Sequence, residues 1–176
     1  MPARRDPSVI IVGAGFGGIA AAIELQRHEF RRITILDAAP ELGGTWFHNT
    51  YPGSACDVPS HLYSYSFAQR RDWSRLCSPQ DEILDYLRDV AHRYGVDRLV
   101  VGDSAVASCV WSDDEQRWTV TTEDGRAYEA DAVVLVCGRA PETGLADALR
   151  ARRDVPVVFL IAGEARGRLR ETAPYG

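Results

Sequence analysis

Gly13, Gly15 and Gly18 stand at the spacing Gly-x-Gly-x-x-Gly, and Asp37 closes the next apolar run. Those types in that order suit the grip of a dinucleotide. Gly13 permits a tight turn, Gly15 lets the backbone approach a pyrophosphate, and Gly18 lets a helix pack close to a strand. The helix that follows offers unpaired N–H groups to phosphate, and the Asp37 carboxylate can accept hydrogen bonds from an adenosine ribose. Three glycines alone leave a plain glycine turn open, so the flanking elements must carry the weight. Metal chemistry is not expected. The four cysteines, Cys56, Cys77, Cys109 and Cys137, fit no zinc spacing, and His28, His48, His61 and His92 form no helical pair. Reduced thiols in a cytoplasmic protein are the expectation.

The elements needed to position these residues are present. A β-branched strand over about Ser8 to Val12 runs into the glycine turn, and a small-residue helix over about Gly15 to His28 carries Ile19, Ala22, Ile23 and Gln26 at helical spacing. Phe30-Arg31-Arg32 makes the return, and Ile33 to Leu36 forms the strand that delivers Asp37. Arg4 and Arg5 ahead of an apolar segment resemble a secretory leader, but the segment continues through Glu24 into that second strand. Residues 1–8 read as a flexible lead-in.

Residues 38–77 form a long loop rich in Gly, Pro, Ser and aromatics. Trp46, Phe47, Tyr51, Tyr63, Tyr65, Phe67 and Trp73 give it too much apolar surface to remain in water. Ser78 is placed to cap a helix that begins at Pro79, presents Ile83, Leu84, Leu87, Val90, Ala91 and Tyr94 on one face, and ends at Gly95. Further on, Leu99 to Val101, Ala105 to Trp111 and Trp118 to Thr122 read as strands, and Asp124-Gly125 signals a hairpin within a β-meander over 105–130. Ala132 to Val136 is continuously apolar, as expected of a parallel strand buried on both faces. A short helical segment around Leu145 to Arg152 and a closing strand within 155–165 complete the chain.

The 176 residues suit one domain, and the formal net charge of −5 argues against nucleic acid as a partner. No apolar run approaches the length of a membrane span. The fold class expected is α/β: a Rossmann-like dinucleotide-binding domain, with a parallel sheet flanked by helices and a small β-meander.

Residues 8 to 140 resemble the flavin-containing and Baeyer–Villiger monooxygenases, flavoproteins with two dinucleotide-binding domains. Gly13-Ala14-Gly15-Phe16-Gly17-Gly18 is similar to their FAD fingerprint, and Gly43-Gly44-Thr45-Trp46 to their second flavin-contacting loop. Asn49 to Asp57, running into Ser60 to Phe67, is similar to the loop that lines the flavin ring in the Baeyer–Villiger enzymes. The resemblance implies cofactor contacts at Gly13, Gly15, Phe16, Gly18, Asp37, Gly44, Thr45, Trp46, Tyr63, Val106 and Gly138. Asp57 matches the carboxylate that holds the family's catalytic arginine, which makes it the one catalytic candidate; capping of its own turn is the alternative. Ordinary core packing is the alternative for Tyr65 and Phe67. Val136-Cys137-Gly138 stands where the family has Ala-Thr-Gly, and Glu164 where it has a shorter acid on the ribityl chain.

The same resemblance implies FAD as cofactor and a small ketone- or sulfide-like substrate. The family's histidine- and tryptophan-containing signature is absent, since no histidine follows His92 and no tryptophan follows Trp118, and there is one glycine fingerprint only. NADPH is therefore not expected to bind this chain alone. Electrons would come from a separate reductase or an NADPH-domain partner, and the aromatic loop from Trp46 to Phe67 would be bared as an interface for that partner or for a second copy. A non-catalytic FAD- or nucleotide-binding module, or an engineered or truncated FAD domain, is the alternative function.

Overall fold

The computed structural model describes residues 6–136 and the backbone of 157–159. Five parallel strands form the main sheet in the order β3-β2-β1-β7-β8: β1 is Ser8–Val12, β2 Arg32–Leu36, β3 Val100–Val101, β7 Ala132–Leu135 and β8 Val157–Phe159. Its register pairs Val9 with Ile33 on one side and with Ala132 on the other. A second, antiparallel sheet runs β4-β5-β6, with β4 Val106–Ser112, β5 Arg117–Thr122 and β6 Ala127–Ala130.

Alternation along the parallel strands divides the interior into two cores. Val9 and Ile11 of β1, Ile33 and Ile35 of β2, and Val134 of β7 face helices α1 (Phe16–Arg27) and α3 (Gln80–Arg93), meeting Ile19, Ala22, Ile23, Leu87 and Val90. Ile10, Leu36, Val133 and Leu135 face the other way, against Trp118, Val120 and Ala130 of the antiparallel sheet. Each such side chain taken from water contributes about 1.5–3 kcal/mol before entropy is counted. The meander is thus the second cover of the parallel sheet. The expected flanking helices are present, and among the described residues both long ones lie on one face. A strand buried on both sides needs only apolar neighbours, and the alternating Trp118 and Val120 supply them as well as a helix would.

Helix α3 starts differently from the expectation. Pro79, not Ser78, is the N-cap, with no side-chain cap, and its carbonyl accepts from Ile83 N. Ser78 is fully buried and is committed elsewhere: its N–H donates to Ser60 Oγ at 2.9 Å, and the two hydroxyls lie 2.8 Å apart. The helix entry is pinned by Gln80 N to Ser54 O and by the Ala55–Pro79 bridge, so the cap is not needed to fix it. The end behaves as expected, with Gly95 at φ +69° and Val96 N returning to Ala91 O. The long loop also holds a single helical turn, α2, at Thr45–His48. At the Asp124-Gly125 hairpin, Gly125 takes φ +84° and Thr122 N bonds Arg126 O. Cys137, Gly138, the segment around Leu145 to Arg152, Glu164, and all of the closing strand except the backbone of 157–159 lie outside the described residues.

Candidate functional site

The site forms at the carboxyl ends of β1 and β2, where the sheet runs outward in both directions from β1. That is the place at which open α/β sheets bind ligands. Gly13 takes φ +106°, a conformation that strains any other residue, and a Cβ there would lie 2.3 Å from the Val136 carbonyl oxygen. A Cβ on Gly18 would lie 1.8 Å from the Gly13 carbonyl oxygen, so the helix packs on the turn as well as on Ile11. Gly15 is the N-cap of α1 and brings no side-chain cap. The first amide of the helix with a backbone partner is Ile19 N, bonded to Gly15 O at 3.0 Å; the N–H groups of Phe16, Gly17 and Gly18 have no acceptor among the described residues. Three unpaired donors at the positive end of a helix are an arrangement that suits an anion.

The second glycine pair meets the first. Gly43 N donates to Ala14 O at 2.9 Å, and a Cβ on Gly44 would lie 3.0 Å from Gly15 Cα. Gly43 at φ +133° and Gly44 at φ +54° make the bend that allows this, and α2 follows at once with exposed Thr45 and buried Trp46. Trp46 Nε1 donates to Tyr63 Oη at 3.3 Å, and its carbonyl accepts from Gln80 Nε2. Tyr63 in turn meets Phe16 edge-on, with ring centroids 4.8 Å apart. Gly13, Gly15, Phe16, Gly18, Gly44, Thr45, Trp46 and Tyr63 therefore belong to one contiguous region, with Asp37 beside it. The Asp37 carboxylate accepts from Ala14 N and Ala39 N.

The loop after residue 57 is held from within. Tyr65 donates its hydroxyl to Phe16 O at 2.7 Å and stacks on Phe67, with centroids 5.0 Å apart and planes 12° apart. Its backbone N–H donates to Tyr86 Oη at 2.8 Å, and that hydroxyl donates to Ala68 O. Burial, foremost, raises the phenols of Tyr63, Tyr65 and Tyr86 above the ordinary range, Tyr65 by the most. These are core contacts, the alternative that was open for Tyr65 and Phe67. The expected bare aromatic loop is corrected accordingly. Trp46 and Tyr65 are buried, Tyr63, Phe67 and Trp73 are half-buried, and the exposed large apolar residues of the segment are Tyr51, Val58, Leu62 and Leu76. The aromatics stack on one another and on α3, so they need no second body to cover them.

Asp57 is exposed, and its carboxylate makes no hydrogen bond or ion pair among the described residues, which removes the turn-capping alternative. Its negative charge bears on Cys56 and Tyr63, raising both modestly after burial has done the larger part. Val106 lies two residues beyond a direct backbone bond to Asp37. It pairs with Thr122 and packs in the second core; its link to the site runs through Ser104, whose N–H donates to Asp37 O at 2.7 Å. Tyr86, Gln80 and the Ser60–Ser78 pair were not singled out by sequence reasoning. Tyr86 was the one to find, since it lies three residues after Ile83 and four before Val90 on the buried face. Among the described residues no cluster of metal-ligating side chains occurs, and no helix is long and apolar enough to cross a membrane.

Comparison with known proteins agrees with this geometry. Residues 11–79 match the family described as NAD(P)-binding Rossmann-like domain. Over 130 residues the chain is 43% identical to a Baeyer-Villiger monooxygenase of Streptomyces coelicolor, covering 74% of this chain and 25% of that protein. It is 44% identical over 114 residues to the FAD-binding monooxygenase ktnD of Aspergillus niger, covering 64% of this chain and 19% of that one. The open crystal structure of cyclohexanone monooxygenase superposes with a TM-score of 0.70 at 39% identity, over 74% of this chain and 26% of that chain. The chain thus spans about a quarter or less of the length of these relatives.

Proposed function

We propose, from the premise that this chain belongs to the Baeyer–Villiger and FAD-binding monooxygenase family, that it is an FAD-dependent oxidoreductase of that type. The observation that carries the proposal is the open N-terminus of α1, with the unpaired Phe16, Gly17 and Gly18 amides set against a second glycine turn. The residues fit the cofactor: a cradle without Cβ atoms at Gly13, Gly15, Gly18 and Gly44, donors for a pyrophosphate, and a carboxylate at Asp37. Thr45, Trp46 and Tyr63 stand beside that cradle for the remainder of FAD, and Val106, Gly138 and Glu164 are assigned from the resemblance.

When bound, FAD supplies the redox chemistry by which the family activates oxygen toward a small ketone- or sulfide-like substrate. The chain's own part is to bind and orient. The α1 amides neutralise phosphate charge, the apolar faces of Trp46 and Tyr63 exclude water, and unpaired Asp57 receives and orients a cation. Electrons reach the flavin from a donor outside these residues, such as a reductase or an NADPH-binding partner, and NADPH does not bind to this chain alone. The exposed Tyr51, Val58, Leu62 and Leu76 are the surface offered to such a partner or to a second copy. The compartment proposed is the cytoplasm, where thiols such as those of Cys56 and Cys77 stay reduced.

Purified protein is expected to be yellow and to release FAD on denaturation; a colourless protein that ignores added FAD overturns the reading. Gly15→Asp should abolish FAD binding, since a carboxylate would then face the phosphate charge. Anaerobic NADPH should bleach the bound flavin slowly or not at all, and fast stoichiometric reduction would show that the chain has its own donor site.

A further inference from the structure

Nothing in α1 itself orients its open end. Gly15 brings no side-chain cap, and no acidic residue stands in the first turn. The long loop supplies what the helix lacks: buried Tyr65, 49 positions away in sequence, donates its hydroxyl to Phe16 O at 2.7 Å. The other polar atoms of Tyr65 are engaged as well. Its N–H donates to Tyr86 Oη at 2.8 Å, and its carbonyl accepts from Ala68 N and Gln69 Nε2. Its ring lies against those of Phe16, Phe67 and Tyr86, with centroids 5.1, 5.0 and 5.9 Å away. The hydroxyl is therefore held in one direction, and burial keeps the phenol neutral, so that it remains a donor at ordinary pH. Phe16 O shares one planar peptide with the N–H of Gly17, the middle one of the three unpaired donors. A bond to that oxygen fixes the plane, and by polarising the peptide it makes the N–H on the opposite side a stronger donor.

We propose that Tyr65 is a positioning residue for the pyrophosphate, acting through the Phe16 carbonyl to aim and strengthen the Gly17 amide. The identity of the ligand rests on the FAD reading above, whereas the Tyr65 bond exists without any ligand. The ring of Tyr65 is core; its hydroxyl has this second task. Packing and positioning differ in one consequence. A residue that only packs affects every ligand of the site alike, and one that acts through an amide set for phosphate affects the phosphate-bearing ligands alone.

The test uses the full chain and its Tyr65→Phe variant, which keeps the ring and loses only the hydroxyl, with ADP and adenosine titrated as probes by amide NMR. Tyr65→Phe should weaken ADP about fivefold and adenosine by less than about twofold. Without ligand it should move the Gly17 amide resonance and leave that of Val133 in place, since the aromatic ring and its field remain. Equal loss on both probes, undiminished ADP binding or an unmoved Gly17 resonance overturns the proposal. Ser60→Ala removes another hydroxyl of the same loop, one bonded to Ser78 rather than to α1, and should leave both probes within about twofold. A selective loss of ADP in that variant would mean that any loosening of the loop suffices, and overturns the proposal too. Replacing the phenol with the more acidic 3-fluorotyrosine keeps the bond and strengthens it, so ADP should tighten relative to adenosine; an unchanged ratio overturns the proposal even if Tyr65→Phe does not fold. If the unaltered chain binds neither ADP nor FAD, the FAD reading fails, whereas a chain that binds both and is indifferent to Tyr65→Phe overturns this proposal alone.

Discussion

The two loops that build the site are held by different means. The first, Gly13 to Gly18, is fixed by backbone: Gly13 N bonds Leu36 O at 2.8 Å, Val136 N bonds Val12 O, and two of its glycines leave no room for a Cβ. The second, from Gly43 to Ser78, has backbone bonds such as Cys56 N to Ser78 O and Ser60 N to Leu76 O, and adds to them a set of side-chain contacts. Tyr65 reaches Phe16, Tyr86 reaches back to Tyr65 and Ala68, and Ser60 meets Ser78. A backbone-locked loop has one shape and tolerates no substitution at the lock. A loop that adds side-chain contacts has a small core of its own, and each such contact can be removed singly at moderate cost.

The largest effect should come from the lock. Gly18→Ala drives a methyl into the Gly13 carbonyl, 1.8 Å away, and should cost about 3 kcal/mol or more in urea unfolding; a near-neutral result would break the distinction between the loops. In the second loop, Tyr86→Phe strands the Tyr65 amide and the Ala68 carbonyl in the interior, for an expected loss of about 2 kcal/mol. Ser60→Ala removes the acceptor of the Ser78 amide and should cost about 1–2 kcal/mol, with α3 retained by circular dichroism because Pro79, not Ser78, caps it.

The smallest expected effect is that of alkaline pH on the second loop. Burial raises the Tyr63, Tyr65 and Tyr86 phenols above their ordinary value of 10.0, so the unfolded chain ionises first. Their contribution is complete below that value and is lost as pH rises through it toward the folded values, by about 1 kcal/mol at pH 10. Urea midpoints measured on either side of pH 10 check the sign. A flat profile would mean that these hydroxyls are wet.

How far the chain could be read follows the same division. Strand, turn and helix around Gly13, the doubly buried strand at Ala132, the stop at Gly95 and the hairpin at Gly125 were all legible, because each is a local pattern of periodicity or backbone freedom. Ser78 was misread for a physical reason: a serine before a proline and an acidic first turn satisfies the local rule for a cap, yet Ser60, 18 residues away, competes for it and wins. Tyr86, the partners of Asp37 and the meander's place as a second layer depend on contacts between distant residues, which local patterns do not encode. The aromatics of 46–67 announced a buried surface correctly, but composition could not say whether α3 or another protein would bury it.

The central strand also sets a schedule. β1 finds one neighbour in β2 within a few dozen residues, but its other flank waits for β7, and the bonds from Ser8 to Asp131 that close that side join groups 123 positions apart. On a ribosome adding about 5–20 residues per second, roughly ten seconds separate the emergence of β1 from that of its second partner. Throughout that interval the nascent chain carries an apolar strand with an open edge, and the Gly13 turn, which packs on Val136, can become rigid only after the meander has been made.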